Sequence, residues 1–137
     1  MAWAIIDTSV YVGHWERGLH DDLLAEVRKG FVIRHSAVVL SELRRGARTR
    51  EAERRVAGLF RLAQPCWEPS VSDWWEAGHL IRSVGDAEGW ETAKRRDFQN
   101  DALIGLTARR QGAVVVTANW RDFDVLAEEL GITVIGP

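Results

Sequence analysis

The sequence predicts an α/β domain, a mostly parallel central sheet with helices on both faces. Three observations carry this reading. Short apolar runs without polar alternation mark strands buried on both sides. Stretches with helical spacing, capping residues and terminal glycines lie between those runs. Strands separated by helices need crossover connections, which pair them in parallel. A chain of 137 residues is one ordinary domain of the ~100 to 150 residue class, and 46% hydrophobic residues can fill its core. No linker, repeat or low-complexity run divides it, so residues 1–137 are read as a single domain.

The first strand spans residues 2–6 and is stopped by Asp7; residues 31–35, 113–117 and 132–135 look similar. Leu23, Leu24 and Val27 mark a helix ending near Gly30. Ser36 can cap the next, which runs to Gly46, and a polar helix covers about residues 50–63. Ser70 or Ser72 opens a long tryptophan-rich helix reaching about Gly89. Asn100 is expected to cap the helix that ends at Gly112, and Asp122 or Phe123 to begin the last one before Gly131. In such sheets ligands bind beyond the carboxyl ends of the strands, where strand order reverses. Asp7 lies at one such end, with Asn119 and Asp122 just past another.

Four acids in these places each have two readings. Asp7 either caps the following helix, with Thr8 or Ser9 sharing the task, or projects a carboxylate from the strand end. Glu42 falls inside the apolar arc of Val38, Val39 and Leu43, where a carboxylate costs several kcal/mol unless an arginine or a bound cation accompanies it. Asp101 is either a first-turn acid favoured by the helix dipole or a group carried inward by the small residues Gly105 and Ala108, whose face can sit against the sheet. Asp122 reads as a helix cap before Phe123, and Asn119 as a turn residue, unless both belong to the same site. Together the acids form an oxygen-only set without His or Cys partners, which favours Mg²⁺ or Mn²⁺ over zinc. Two such ions about 4 Å apart can promote in-line cleavage of a phosphodiester.

The remaining composition narrows the function classes. The N-terminus lacks the basic and long apolar segments of a secretion signal, and no apolar run approaches the ~20 residues of a membrane span, so a cytoplasmic protein is expected. The single Cys66 has no disulfide or zinc partner and is read as packing. A net charge of -2 argues against bulk attraction to nucleic acid. The cations are clustered, however: Arg44, Arg45, Arg48, Arg50, Arg54 and Arg55, then Lys94-Arg95-Arg96 and Arg109-Arg110. These are either solvated helix faces or a phosphate-binding surface.

The chain resembles the PIN-domain ribonucleases, specifically the VapC-like toxins of bacterial type II toxin–antitoxin pairs. The resemblance spans essentially the whole length. It rests on Asp-Thr-Ser after the first strand, the Ser-Glu-Leu-x-x-Gly helix, Asn-Asp-Ala-Leu-Ile, and Thr-x-Asn-x-x-Asp-Phe, in this order and spacing. It implies an α/β/α fold, Mg²⁺- or Mn²⁺-dependent endoribonuclease activity, frequent homodimers, and a VapB-like antitoxin whose tail occupies the active groove. It further implies catalytic roles for Asp7, Glu42, Asp101 and Asp122. Asp7, Asp101 and Asp122 would hold metal, Asn119 would contribute, and the hydroxyls of Thr8 or Ser9 and of Thr117 would orient the acids. The RNA would be a structured cellular one, such as a transfer RNA or a ribosomal RNA loop. A PIN-domain RNA-processing nuclease outside such a pair is the alternative. A phosphoacceptor receiver domain fits poorly, because the final strand ends at Gly136-Pro137 without the lysine that class needs.

Seven tryptophans call for an account. Trp74 shares a helical stripe with Ala77, Leu80, Ile81 and Val84 and is expected in the core. Trp75 lies off it, beside His79 and Arg82, and is expected at a protein interface. Trp15 and Trp120 come after the Asp7 and Thr117 segments and either pack or stack on RNA bases, while Arg44 and Arg45 are candidate RNA or partner contacts. The four histidines share no ligand spacing, and none is expected to bind metal.

Overall fold

Strands β1 (Trp3–Ile6), β2 (Val32–Ile33), β3 (Val114–Val116) and β4 (Val134–Ile135) pair in parallel in the order β2-β1-β3-β4 in the computed structural model, which describes all 137 residues. β1 sits in register with β3 through Ala4↔Val114, Ile5↔Val115 and Ile6↔Val116. The central residues Ala4, Ile5, Val115 and Val116 are fully buried, which is why these runs lack polar alternation. The chain leaves β1 for β2 on one side and later places β3 and β4 on the other. Strand order therefore reverses at β1, and the crevice opens where β1 and β3 end.

Seven helices connect and cover the sheet: α1 (Thr8–Arg17), α2 (Asp21–Gly30), α3 (Ala37–Gly46), α4 (Arg50–Leu62), α5 (Val71–Glu88), α6 (Thr92–Gln111) and α7 (Trp120–Leu130). α6 packs on β1 and β3 and against α5 and α7, while α3 packs against α1 and α4. No helix is long and apolar enough to cross a membrane. The α/β/α class and the parallel sheet are as expected, with strands shorter at their ends than the apolar runs that announced them.

Two helix starts differ from expectation. α6 begins at Thr92, so Asn100 does not cap it but lies midway along it. The added segment has little apolar periodicity. It is held instead by Phe98, fully buried edge-on to Trp90 at 4.8 Å, and by ion pairs of Lys94 with Asp122 and Arg95 with Asp86. α7 begins at Trp120 after Asn119, which places Asp122 in its first turn rather than at its cap.

The tryptophan helix is rotated from its expected setting. Trp74 is 49% exposed and is not core; the buried stripe is Asp73, Ala77, Leu80 and Val84. Asp73 turns inward because it closes a capping box with Ser70 and bonds Arg110 Nε at 3.0 Å. Trp74, one position on, is carried about 100° away from that stripe. The basic groups 94–96 and 109–110, Arg96 aside, are likewise ion-paired rather than an open phosphate surface. Arg109 pairs with Glu76, Arg110 with Asp73, Arg95 with Asp86 and Lys94 with Asp122.

Candidate active site

Asp7 follows β1, and its N–H still bonds Val116 O at 2.8 Å, so the strand pairing fixes its backbone. It occupies the N-cap position of α1, yet its side chain makes no capping bond. Asp7 is only 3% exposed, and its Oδ2 instead accepts hydrogen bonds from Ser9 Oγ at 2.7 Å and Thr117 Oγ1 at 2.9 Å. Each hydroxyl also accepts a backbone N–H: Ser9 Oγ from Ala118 at 3.0 Å, Thr117 Oγ1 from Asn119 at 2.9 Å. Since each hydroxyl spends its one proton on Asp7, the 3.3 Å approach between them is a contact, not a third bond. The segment after β3 is thereby tied to the carboxylate after β1. On the other side of β3, Gly136 lets the end of β4 lie against the same segment, because a Cβ there would lie 2.5 Å from Thr117 O.

Glu42 is positioned by α3, whose start is capped by Ser36 accepting from Val38 N at 3.1 Å. Val38, Val39 and Leu43 are buried around it as the helical spacing predicts, and Glu42 is half-buried between them. Its partner is not an arginine: Oε1 accepts from Thr8 Oγ1 at 2.8 Å. Asp101 projects from the middle of α6, next to the fully buried Ala102 and Leu103. The small face beneath it meets a different neighbour from the one expected. A Cβ on Gly105 would touch Leu126, Leu130 and Ile132, so this glycine admits α7 and the start of the β4 approach rather than the sheet.

Asn119 joins the last two acids. Its Nδ2 donates to Asp101 Oδ2 at 3.2 Å and to Asp122 Oδ2 at 3.3 Å. Both oxygens of Asp122 also accept from Lys94 Nζ, at 2.8 and 2.9 Å. Lys94 is the member of this group that sequence reasoning missed. It stands two helical turns before Asp101 on the same face, a signal readable only once the helix is known to begin at Thr92.

The electrostatics show how closely the acids converge. The Asp101 carboxyl is pushed up to about 8, first by burial and then by the charges of Asp7, Asp122 and Glu42 and a hydrogen bond with Asp122. No three of these acids close into a finished cation cage. Their chemistry nevertheless fits a hard divalent cation: every donor is oxygen, and a cation would offset both the burial and the like charges that keep a proton on Asp101.

The flanking residues divide. Trp15 stacks obliquely on Tyr11 at 5.3 Å beneath Arg55, and with Glu42, Arg48 and Thr49 it lines a groove of about 360 Å³ between α1, α3 and α4. Trp120 is 62% exposed at the start of α7. Arg44 and Arg45 are exposed on α3, with Arg44 facing a second groove towards Phe60 of α4. Trp75 is 86% exposed on α5, outside the acidic crevice.

The PIN domain family profile matches residues 4–129. The chain belongs to the PIN-domain family. No curated protein sequence matches it significantly. In structure this PIN domain is similar to a chain of VapBC-1 from nontypeable Haemophilus influenzae, with a TM-score of 0.71, 18% identity, and coverage of 98% of this chain and 97% of that one. It is similar to a chain of VapBC2 from Rickettsia felis bound to a promoter DNA fragment, with a TM-score of 0.70, 20% identity and 98% coverage of both. DNA-bound VapBC from Salmonella typhimurium gives 0.67 and 21% identity, covering 99% of this PIN domain and 98% of that chain. At these identities the likeness establishes the fold.

Proposed function

We propose that this PIN domain is a Mg²⁺- or Mn²⁺-dependent endoribonuclease acting in the cytoplasm as the toxin of a toxin–antitoxin pair, restrained by a VapB-like antitoxin. One observation carries the nuclease reading: four carboxylates from four separate segments meet at the switch point of the sheet, where burial and then the charges of the other three push Asp101 up to about 8. The toxin reading draws on the VapBC complexes to which the fold is similar over nearly its whole length.

Asp7 and Asp101 would hold the divalent ion, with Glu42 and Asp122 completing the acidic site. When bound, the ion supplies Lewis-acid stabilisation of charge building on the scissile phosphate. The chain's own part is positional. Ser9 and Thr117 lock one oxygen of Asp7 and leave the other without a hydrogen bond, and Thr8 does the same for Glu42. Asn119 holds Asp101 and Asp122 in one arrangement. A cation entering at neutral pH must displace the Asp101 proton. Trp120 supplies an exposed stacking face and Arg44 and Arg45 phosphate contacts for an unpaired RNA loop, of the sort a transfer RNA or ribosomal RNA offers, while Trp15, packed between Tyr11 and Arg55, lines the groove wall. Trp75 belongs to a protein contact, with a second copy of the chain or with the antitoxin.

The test is cleavage of loop-containing RNA by the metal-stripped protein with and without added Mn²⁺. Cleavage restored by Mn²⁺, stopped by EDTA and absent in Asp7→Asn is expected. Undiminished cleavage by verified metal-free protein would refute the reading.

A further inference from the structure

Lys94 is not a swinging surface lysine. Its ammonium bonds both oxygens of Asp122 while standing 5.1 Å from the centre of the Trp90 ring and 6.0 Å from that of Phe98. A cation held between aromatic faces and a carboxylate is partly desolvated and fixed in place. The other three acids are bonded differently, since hydrogen bonds reach a single oxygen on each: Oδ2 of Asp7, Oε1 of Glu42 and Oδ2 of Asp101. No ammonium or guanidinium pairs with any of those three, whereas Lys94 holds both oxygens of Asp122.

We infer that Lys94 is a built-in counter-ion standing in for a second divalent ion, so that the site loads one Mg²⁺ or Mn²⁺, on Asp7 and Asp101. This rests on the metal-dependent reading above. Four acids of like charge at one crevice need compensation, and the chain itself supplies it at the Asp122 end through an ammonium. A divalent ion approaching Asp122 would meet that positive charge within a few ångströms and would have to displace it from both oxygens. An ion approaching Asp7 and Asp101 meets carboxylates, hydroxyl oxygens and the Asn119 amide, and no paired cationic side chain. Lys94 is thus a positioning residue that sets how many ions bind, acting through Asp122.

The experiment is titration of the metal-stripped full chain with Mn²⁺, reading free Mn²⁺ by electron paramagnetic resonance. One ion per chain is expected for the native sequence and for Lys94→Arg, and two for Lys94→Met. The double substitution Lys94→Met with Asp122→Asn should return the count to one. Two ions on the native chain, or one on a folded Lys94→Met, would overturn the role of Lys94 while leaving metal dependence intact. No bound Mn²⁺ on the native chain would instead bring down the metal reading and this inference with it. Should Lys94→Met fail to fold, Asp122→Asn alone decides: Mn²⁺ affinity within about threefold of native supports the inference, and a loss of tenfold or more makes Asp122 a ligand and refutes it.

Discussion

A single amide of Asn119 reaches two carboxylates on different helices, Asp101 Oδ2 on α6 at 3.2 Å and Asp122 Oδ2 on α7 at 3.3 Å. It ties the two acids into one arrangement. Replacing it by aspartate substitutes a further negative charge for two donors. Asn119→Asp should therefore destabilise the metal-free protein by about 1 to 3 kcal/mol, the usual cost of leaving partly buried polar groups unpaired. Thermal melts in EDTA would reveal the loss, and Mn²⁺ should recover most of it; equal melting points for the two proteins in EDTA would contradict the bridging role.

Asp101 makes stability depend on pH. Its folded-state value of about 8 lies above the ~3.9 of an unfolded aspartate, so its contribution is fully present below about pH 4 and is lost as pH rises to about 8. Metal-free Asp101→Asn should lose this slope and melt higher than the native chain at pH 8, while cleaving no RNA. A variant that melts lower at pH 8 would show that the carboxylate stabilises the fold instead.

The same proton governs cation affinity. Below about pH 8 each bound ion must displace it, so Mn²⁺ affinity should rise roughly tenfold per pH unit from 6 to 8 and then level off. Calorimetry in buffers of differing ionisation enthalpy should count about one proton released per ion at pH 7. Release of none would mean that Asp101 is already ionised in the folded protein.

The two halves of the α5 start should respond in opposite ways. Asp73 caps its own helix and pairs with Arg110 in a buried setting, so Asp73→Ala should cost about 3 kcal/mol in urea denaturation. Trp75 is 86% exposed, and Trp75→Ala should shift stability by less than about 0.5 kcal/mol. If Trp75 anchors an interface, its loss should weaken dimerisation or antitoxin binding by about 2 kcal/mol or more, measured by analytical ultracentrifugation or calorimetry. Unchanged association would remove Trp75 from any interface.

By itself the sequence determined the layered α/β class, because strands buried on both faces must be apolar throughout and the helices between them must carry caps and stripes. It also singled out Asp7, Glu42, Asp101 and Asp122, since carboxylates at strand ends or in apolar arcs conflict with their surroundings unless they share a task. What it left open for each acid was whether a local partner explained it, and only tertiary structure decided that. Asp7 stands at a helix cap yet bonds Ser9 and Thr117, the latter 110 positions away in sequence. The first turns of α6 were invisible because ion pairs and one buried Phe98 hold them, rather than a periodic stripe. With those turns hidden, Lys94 could not be placed beside Asp122; and without the distant Arg110, Asp73 could not be preferred to Trp74 for the core. Periodicity reports which face of an element is apolar; which charge meets which is set by the packing of distant segments, and no local pattern encodes it.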